Sequence, residues 1–278
     1  MSNKNTCRNF KVQVLPNELL MGKTAAGEAG EILRYYTKKK GLEVMTAFAA
    51  APSQNTFLAQ LYQEKGIDWK KVTAFHLDEY LDLTKGHPNT FQAYLQEHIF
   101  GKVPISRENV HYIKDIEGPP EKVLIEYTKR LKKAFLKKQK ADSLYLAFIG
   151  IGVNGHIAFN EPGTDLWQKT WVVQVKIDET SVKQQFDDYK NHPDPSARYR
   201  TPEKVPRHAF TITCAGILAA DIIFCMVPGK QKAGAVKALL EGPLSDRLPA
   251  SLLRLHENVH LYLDNASVSK LNYKPEFN

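Results

Sequence analysis

The stretch that most constrains this chain runs over residues 144–163 and reads LYLAFIGIGVNGHIAFNEPG. Its first six residues are largely apolar and predict a buried strand, and the glycines that follow predict a tight turn. A central parallel strand of this kind delivers its loop to the carboxyl edge of the sheet, where open α/β sheets bind ligands. Because the loop carries Asn154, His156 and Glu161, we expect a site for acid–base chemistry at this edge.

The same letters spell G-x-G-x-x-G at Gly150, Gly152 and Gly155, which is the glycine pattern of dinucleotide-binding folds. A true fingerprint opens a helix after its third glycine and meets an acidic residue about 20 positions later. Here Pro162 interrupts any helix that begins at Gly155, and the residue about 20 positions later is Val175. The pattern therefore argues against a nicotinamide or flavin cofactor.

Strand-like apolar runs alternate with helical patterns along the chain. This alternation predicts an α/β fold, with residues 1–278 forming a single doubly wound, Rossmann-like domain whose central sheet is largely parallel and flanked by helices. The polar segment 184–201, with its prolines, predicts a loop or a mobile lid. The predicted strands cover residues 10–15, 43–51, 72–77, 111–113, 144–149, 171–177, 209–213, 222–227 and 259–263, and the predicted helices 19–40, 53–64 and 231–240, with others opening at Pro88 and Pro119.

The formal charge of +8, from 38 basic and 30 acidic residues, raises the question of an anionic partner. The lysines are spread along the chain, with local groups at 38–40 and 137–138, each near the end of a predicted helix. Cations are favourable at helix carboxyl ends, so we interpret these groups as solvated helix ends. We therefore predict no nucleic-acid partner.

The cysteines and the hydropathy point to a cytoplasmic protein. Three cysteines, Cys7, Cys214 and Cys225, form no C-x-x-C pair and are odd in number, which favours a reducing compartment over a disulfide framework or a zinc site. Lys11 and Glu18 break up the start of the chain, which therefore lacks the apolar core of a signal peptide. No stretch approaches the ~18 apolar residues of a membrane span, so no membrane partner is expected.

Three segments together resemble the glucosamine-6-phosphate deaminase/isomerase family. They are IGVNGHIAFNEPG (151–163), FHLDEYLDL…HPNTFQAYL (75–95) and VPGKQKAGAVKALLEGP (227–243). Their order and spacing agree with the family over most of the chain. The resemblance implies conversion of glucosamine 6-phosphate, or a close analogue, to fructose 6-phosphate and ammonia, with no metal or redox cofactor.

The resemblance also implies catalytic roles. Asp78 moves a proton between C2 and C1 of the open-chain sugar, and a carboxylate of ordinary pKa is ionised for this task at pH 7. His156 opens the pyranose ring, since an imidazole both gives and takes a proton near neutrality. Glu161 works with this histidine, and Asn154 supports the imidazole without carrying a proton.

Substrate-binding roles are implied for the phosphate lysine and the glycine turn. Lys232 matches the family lysine that binds the phosphate and lies near a predicted helix start, where backbone N–H groups also favour anions. Ser53 joins it from the loop after the strand 43–51. Gly152 and Gly155 bring the loop backbone close to the sugar.

Two positions depart from the family pattern. The early phosphate loop carries Pro52, which has no N–H to donate. The segment that usually offers an arginine to the phosphate reads Lys-Gln-Gln-Phe over residues 183–186. Lys183 is the candidate replacement, as a point charge instead of a bidentate fork. The catalytic residues thus match the family pattern better than the phosphate-binding residues do.

Two alternatives of other kinds remain open at this point. One is a sugar-phosphate lactonase, a 6-phosphogluconolactonase-type hydrolase on the same fold, although such lactonases tend to lack the glutamate at position 161. The other is a non-catalytic sugar-phosphate-binding protein that has kept the fold. The sequence leaves a homo-oligomer open and does not identify the sugar epimer.

Overall fold

The computed structural model describes residues 9–272, which form ten strands and seven α-helices, together with short 3-10 and π segments. The strands are β1 (Asn9–Leu15), β2 (Val44–Phe48), β3 (Val72–His76), β4 (Asp78–Tyr80), β5 (Val110–His111), β6 (Tyr145–Ile149), β7 (Val172–Lys176), β8 (His208–Ile212), β9 (Ile222–Val227) and β10 (Asn258–Asp264). The helices are α1 (Glu18–Arg34), α2 (Asn55–Leu61), α3 (Phe91–Leu95), α4 (Pro120–Lys140), α5 (Glu179–Tyr189), α6 (Cys214–Leu218) and α7 (Ala233–Glu241).

Seven strands form a wholly parallel central sheet in the order β1-β10-β9-β6-β2-β3-β5. The predicted α/β class with a largely parallel sheet is therefore confirmed. The chain moves outward from β2 through β3 to β5, and then returns to place β6 on the other side of β2. The direction of the strand order thus reverses between β2 and β6, which is where such sheets leave a crevice at their carboxyl ends.

The two faces of the central sheet carry separate cores, because its inner strands are buried on both sides. One core contains α1 and α2 with Phe48 and Phe148, and the other contains α4 and α7 with Tyr127. Helices α1 and α2 approach closely, since a Cβ at Gly22 would lie 2.4 Å from the hydroxyl of Thr56. Burying each large apolar side chain in these layers contributes about 1.5–3 kcal/mol.

A second, antiparallel sheet of three strands, β4-β8-β7, adjoins the central sheet. Leu77 joins the two sheets: its N–H donates to the carbonyl of Phe48, and its carbonyl accepts from the N–H of Ile212. Asp78 therefore follows the carboxyl end of β3 and also begins β4, where it pairs with Thr211. This fixes the backbone of Asp78 from both sheets.

The segment 184–201 begins as a helix, so the prediction of a loop over its whole length is wrong for residues 184–189. Asp178 caps α5 by accepting a hydrogen bond from the N–H of Thr180. Val182, Gln185 and Tyr189 are buried along one face, at spacings of three and four. The polar composition hid this face, because one of its buried members is a glutamine.

The expectation that the lysine groups are solvated helix ends is wrong for Lys138. Its side chain is 8% exposed, and its ammonium lies 2.5 Å from the carboxylate of Asp221. Asp221 also accepts from the N–H of Tyr145 at the start of β6, so the pair ties α4 to the sheet. Residues 38–40 are exposed, as predicted.

Cys214 and Cys225 are free and buried, and Cys7 lies outside the described residues. Within residues 9–272 no helix combines the length and the apolar character that crossing a membrane requires.

Candidate active site

A cleft opens at the carboxyl ends of β2, β3 and β6, beside the point where the strand order reverses. Five of the predicted site residues line it together: Asp78, His156, Ser53, Gly152 and Lys232. The cleft encloses about 50 Å³, below the ~300 Å³ at which small-molecule pockets begin, so a sugar phosphate must widen it on binding. Its other lining residues are Ala49, Ala50, Ala51, Phe91, Gly150, Ile151, Ala158, Phe159, Gln184 and Gln185.

Asp78 lines the cleft as a buried residue, which is only 7% exposed. None of its side-chain oxygens has a hydrogen-bond partner among residues 9–272. Burial, and then the charges of Glu79 and Glu161, raise the pKa of Asp78 well above its ordinary value of 3.8. A carboxylate of raised pKa with free lone pairs is a stronger base than an exposed aspartate.

Glu79, the neighbouring acid, has a different position and a structural task. Its two carboxylate oxygens accept from the backbone N–H groups of Tyr80, Phe91 and Gln92, and so hold β4 against the start of α3. Burial raises the pKa of Glu79 to about 7, although these N–H groups act in the opposite direction. Of these two acids, Asp78 lines the cleft and Glu79 stabilises the fold.

His156 lies at the end of the glycine turn with one face over Gly152. A Cβ at Gly152 would lie only 2.2 Å from the imidazole, so this position must be glycine for the ring to occupy its place. The Nδ1 atom of His156 is 2.9 Å from the Ser181 hydroxyl and 3.3 Å from the carboxylate of Glu161. Within the described chain Nε2 has no such partner and remains for a substrate.

Asn154 supports the histidine indirectly. Its side-chain oxygen accepts from the backbone N–H of His156, and its side-chain nitrogen donates to Glu161 at 3.0 Å. The amide therefore orients the carboxylate and the loop, and does not contact the imidazole as we expected from the sequence. Burial would raise the pKa of Glu161, but hydrogen bonds and charge from His156, with further bonds from Ser181 and Asn154, lower it.

Gly155 does not line the cleft, in contrast to Gly152. Its φ of +87° favours glycine, and a Cβ there would lie 2.1 Å from the side chain of Leu248. Gly155 therefore makes the turn that carries His156, and its predicted contact with substrate is not supported by its position.

Lys232 provides the cationic group of the cleft. The side chain is 5% exposed, and its ammonium donates to the amide oxygen of Gln184 at 3.1 Å. The same oxygen accepts from the N–H of Val153, so Gln184 connects α5, the glycine turn and the lysine. Burial lowers the pKa of Lys232 to about 8, and the nearby carboxylate of Asp188 opposes this shift.

Lys183 is not brought to the cleft, and its assignment as the replacement for the phosphate arginine is corrected. Its side chain is 74% exposed and pairs with Asp187 one turn further along α5. The helix turns Gln184 and Gln185 towards the cleft, because Ser181, Val182 and Gln185 form its buried face. Ser53 lies at the other wall, where its hydroxyl accepts from Gln54 at 3.3 Å.

Sequence reasoning missed Ser181, Gln184 and Gln185. The sequence signal that would have indicated their helix is Asp178, a residue type that caps helix starts. Among residues 9–272 no three His, Cys, Asp or Glu side chains come together as metal ligands. The absence of a metal or redox cofactor remains a prediction.

The fold and the cleft define an α/β protein that places a carboxylate, an imidazole and a lysine at the sheet's switch point, a set suited to proton transfer on a small anionic molecule. Comparisons with known proteins agree with this class. The family model described as glucosamine-6-phosphate isomerases/6-phosphogluconolactonase matches residues 52–186. The chain is 30% identical over 262 residues to a glucosamine-6-phosphate deaminase of Thermoanaerobacter sp. (strain X514). The aligned region covers 94% of each protein. The chain therefore belongs to the glucosamine-6-phosphate isomerase/6-phosphogluconolactonase family.

Other relatives show the same pattern. A glucosamine-6-phosphate deaminase of Oceanobacillus iheyensis is 31% identical over 216 residues, or 78% of this chain and 79% of the relative. The solved structure of a monomeric glucosamine-6-phosphate deaminase superposes with a TM-score of 0.79 at 25% identity, covering 94% of this chain and 99% of the other. A 6-phosphogluconolactonase from Trypanosoma brucei shares the fold, with a TM-score of 0.71 at 16% identity over 95% of this chain and 99% of the other.

Proposed function

We propose that this protein is an amino-sugar-phosphate isomerase/deaminase, which converts glucosamine 6-phosphate or a close analogue, with one water, to fructose 6-phosphate and ammonia. The observation that carries the proposal is that Asp78, His156 and Lys232 line one cleft at the carboxyl edge of the central sheet. The names of the relatives that match over most of the chain support the same reaction.

In the proposed reaction His156 opens the sugar ring. Its Nε2 atom gives a proton to the ring oxygen as the anomeric hydroxyl loses one, which leaves an aldehyde at C1. Glu161 and Ser181 contact Nδ1 and fix the orientation of the ring, so that Nε2 faces the substrate. Positioned acid–base groups of this kind typically contribute about 10²–10⁴-fold to a rate.

Asp78 then takes the proton from C2 of the open-chain sugar and returns it at C1. Removal at C2 gives an enolamine, and protonation at C1 moves the double bond to the C2–nitrogen bond. Water adds to that imine carbon, and the nitrogen leaves as ammonia, so that C2 becomes the ketone of fructose 6-phosphate. The raised pKa of Asp78 suits the abstraction of a weakly acidic C–H proton.

Lys232 holds the phosphate in this proposal, with donors from the carboxamides of Gln184 and Gln185 on α5. The substrate displaces the hydrogen bond between Lys232 and Gln184, which widens the narrow cleft. A single buried cation surrounded by amides is a weaker anion grip than a bidentate arginine, because the ammonium acts as a point charge. The phosphate site is therefore as compatible with a close analogue of glucosamine 6-phosphate as with glucosamine 6-phosphate itself.

The lactonase alternative differs in what the histidine assembly does. The contact of Glu161 with His156 favours the deaminase, because lactonases of this fold tend to lack a glutamate at this position and here the carboxylate orients the imidazole. Release of ammonia from glucosamine 6-phosphate and related amino-sugar phosphates, compared with ring opening of 6-phosphogluconolactone, separates the two reactions.

In that experiment we expect wild-type protein to release ammonia and His156→Gln to release at least about 10²-fold less. Hydrolysis of the lactone without ammonia release would support the lactonase. Binding of these sugar phosphates without turnover of any would favour a non-catalytic binding protein.

We further propose that residues 1–278 act as one domain in the cytoplasm, without a metal or redox cofactor and without a nucleic-acid or membrane partner. The absence of a metal is tested by measuring activity with and without a chelator, and we expect the activity to be unchanged. Gel filtration distinguishes a homo-oligomer from the monomeric state described for the solved deaminase relative.

A further inference from the structure

A second cavity, larger than the cleft, lies beside the edge of the central sheet. It has a volume of about 1020 Å³ and shares no lining residue with the active-site cleft. Met45, Thr73 and His111 form its floor at the outer strands β2, β3 and β5. One wall is the second half of α4, and the opposite rim carries Arg107. We call this cavity the basic groove.

The basic groove is lined by an excess of cations. Seven basic and four acidic side chains line it, and because Lys138 is already paired with Asp221 outside the groove, a net charge of +2 remains on a concave surface. A concave surface of one sign concentrates counter-ions more strongly than the same charges on a convex face. The seven basic residues are Lys85, Arg107, Lys129, Arg130, Lys133, Lys137 and Lys138, and the four acidic residues are Glu43, Glu108, Asp115 and Glu126.

The cations of α4 form a row along one face of the helix. Arg130, Lys133 and Lys137 are separated by three and four positions, so they project on the same side over about 10 Å of helix axis. Arg130 pairs with Glu126 at 3.3 Å, and Lys137 with Glu43 at 2.5 Å. Lys133, between them, has no carboxylate within 4.0 Å in the part of the chain that is described.

The floor of the groove carries the imidazole of His111, and Arg107 and Arg130 line the same groove. The His111 imidazole packs on Phe75, with 4.6 Å between ring centroids. Burial lowers the pKa of His111 to about 4, and the positive charges of Arg130 and Arg107 act in the same direction, opposed by Asp115. Arg130 lines the groove from α4 and Arg107 from the opposite rim.

We propose that the basic groove binds a small organic polyphosphate of the size of a nucleoside di- or triphosphate. Its phosphoryl groups contact Arg107, Arg130 and Lys133, and its organic part lies on the floor formed by Met45 and His111. The volume of the groove matches that of small-molecule sites, which run to about 1,000 Å³, and a row of cations about 10 Å long suits a chain of phosphates.

A second copy of this chain is a poorer occupant. A twofold contact through the groove would bring the same cationic row of both copies together, in a protein of formal charge +8. Like charges that face each other across an interface cost free energy, whereas a polyphosphate satisfies them. The proposal is independent of the reaction in the cleft, because the two cavities have no residue in common.

The test is calorimetric titration of the full-length protein with ATP, ADP and pyrophosphate, without divalent metal and at low salt of about 50 mM, where charge attraction is least screened. Adenosine and inorganic phosphate are the comparison ligands. We expect one site per chain that binds ATP with a Kd below about 1 mM, and adenosine and inorganic phosphate at least about tenfold more weakly.

The matched variants are Lys133→Glu and Lys132→Glu. Both change one exposed lysine of α4 in the same way, but Lys132 does not line the groove. We expect Lys133→Glu to weaken ATP binding at least about tenfold, the loss of one charge-assisted hydrogen bond, and Lys132→Glu to leave it within about twofold. Melting temperatures of both variants verify that each is folded.

A third variant, Lys232→Ala, separates the groove from the cleft. ATP binding that survives Lys232→Ala and is lost in Lys133→Glu supports the proposal. Absence of saturable ATP binding, an equal effect of Lys133→Glu and Lys132→Glu, or loss of binding in Lys232→Ala alone would each overturn it. Ammonia release is measured separately, so a failure of the proposed reaction leaves this result interpretable.

Discussion

The Nδ1 atom of His156 lies 3.3 Å from the Oε2 atom of Glu161. This contact, with the Ser181 hydroxyl at 2.9 Å from the same nitrogen, fixes the plane of the imidazole over Gly152 and directs its other nitrogen to the cleft. The carboxylate that orients the ring also contributes to the raised pKa of Asp78. Glu161 therefore couples the proposed ring-opening group to the proposed proton carrier.

Glu161→Gln is expected to have two effects of different kinds. Loss of the carboxylate weakens the contact that orients the imidazole, so kcat should fall by about 10–100-fold. Loss of the same charge lowers the pKa of Asp78, so the acid limb of the kcat/KM profile should move to lower pH. Steady-state ammonia release over a range of pH measures both effects.

Asp187→Asn is a control for this variant, because Asp187 lies on the exposed side of α5 and pairs with Lys183 and Lys190. It should leave both kcat and the acid limb unchanged. An acid limb that does not move in Glu161→Gln would contradict the coupling to Asp78.

Lys232→Ala and Lys183→Ala test the anion site. The buried ammonium of Lys232 lines the cleft, and its removal should raise KM for the sugar phosphate by about 10–100-fold, the loss of a charge-assisted hydrogen bond. Lys183 is 74% exposed and paired with Asp187, so its removal should change KM less than about twofold. Equal effects of the two substitutions would mean that α5 holds the phosphate through Lys183 after all.

The pH dependence of kcat/KM should be bell-shaped. The proposed base acts in its deprotonated form, which exists above the pKa of Asp78, so the rate should rise with pH through a value above 3.8. The phosphate site needs a charged Lys232, which exists below its pKa of about 8, so the rate should fall above that pH. Lys232→Ala should remove the part of the basic limb that is due to the lysine and should keep the acid limb.

Glu28 is expected to stabilise the fold at neutral pH. Its carboxylate accepts from Gln13 at 2.7 Å and Tyr262 at 2.8 Å, and it lies 3.1 Å from Nδ1 of His260. The hydrogen bond with His260, ahead of those with Gln13 and Tyr262, lowers the pKa of Glu28 to about 2, against burial. A lowered folded-state pKa means that this stabilisation is present above the ordinary value of 4.5 and is lost as pH falls towards 2.

Glu28→Gln should therefore reduce the free energy of unfolding by about 1 kcal/mol at pH 7, because Glu28 is partly exposed, and by less at pH 3. Glu31→Gln, at an exposed position of the same helix, is the matched control and should have little effect. Urea unfolding at the two pH values measures the difference, and a larger loss at pH 3 than at pH 7 would contradict the assignment.

The sequence predicts the centre of the site well, because two strong local signals define it. The apolar strand before Gly150 and the strand before Asp78 both end at the carboxyl edge of a parallel sheet, so their loops had to meet there. The sequence does not predict the antiparallel sheet to which Asp78 belongs. Strand β4 has three residues, and its partner β8 follows about 130 residues later, a pairing that no local pattern encodes.

The wall of the cleft on α5 was missed for a different reason. Ser181, Gln184 and Gln185 are polar residues that face a polar site, so the helix lacks the apolar stripe by which amphipathic helices are recognised. Lys138 was misassigned because burial of a lysine depends on its partner Asp221, which is 83 positions away.

The most direct measurement follows deuterium at C2 of glucosamine 6-phosphate by NMR in wild type, Asp78→Asn and His156→Gln. In wild type we expect deuterium to leave C2 as ketose and ammonia form. In Asp78→Asn it should stay at C2 while the two anomers still interconvert at an enzyme-catalysed rate, and in His156→Gln that interconversion should fall to the uncatalysed rate. Loss of deuterium from C2 at the wild-type rate in Asp78→Asn would contradict the account.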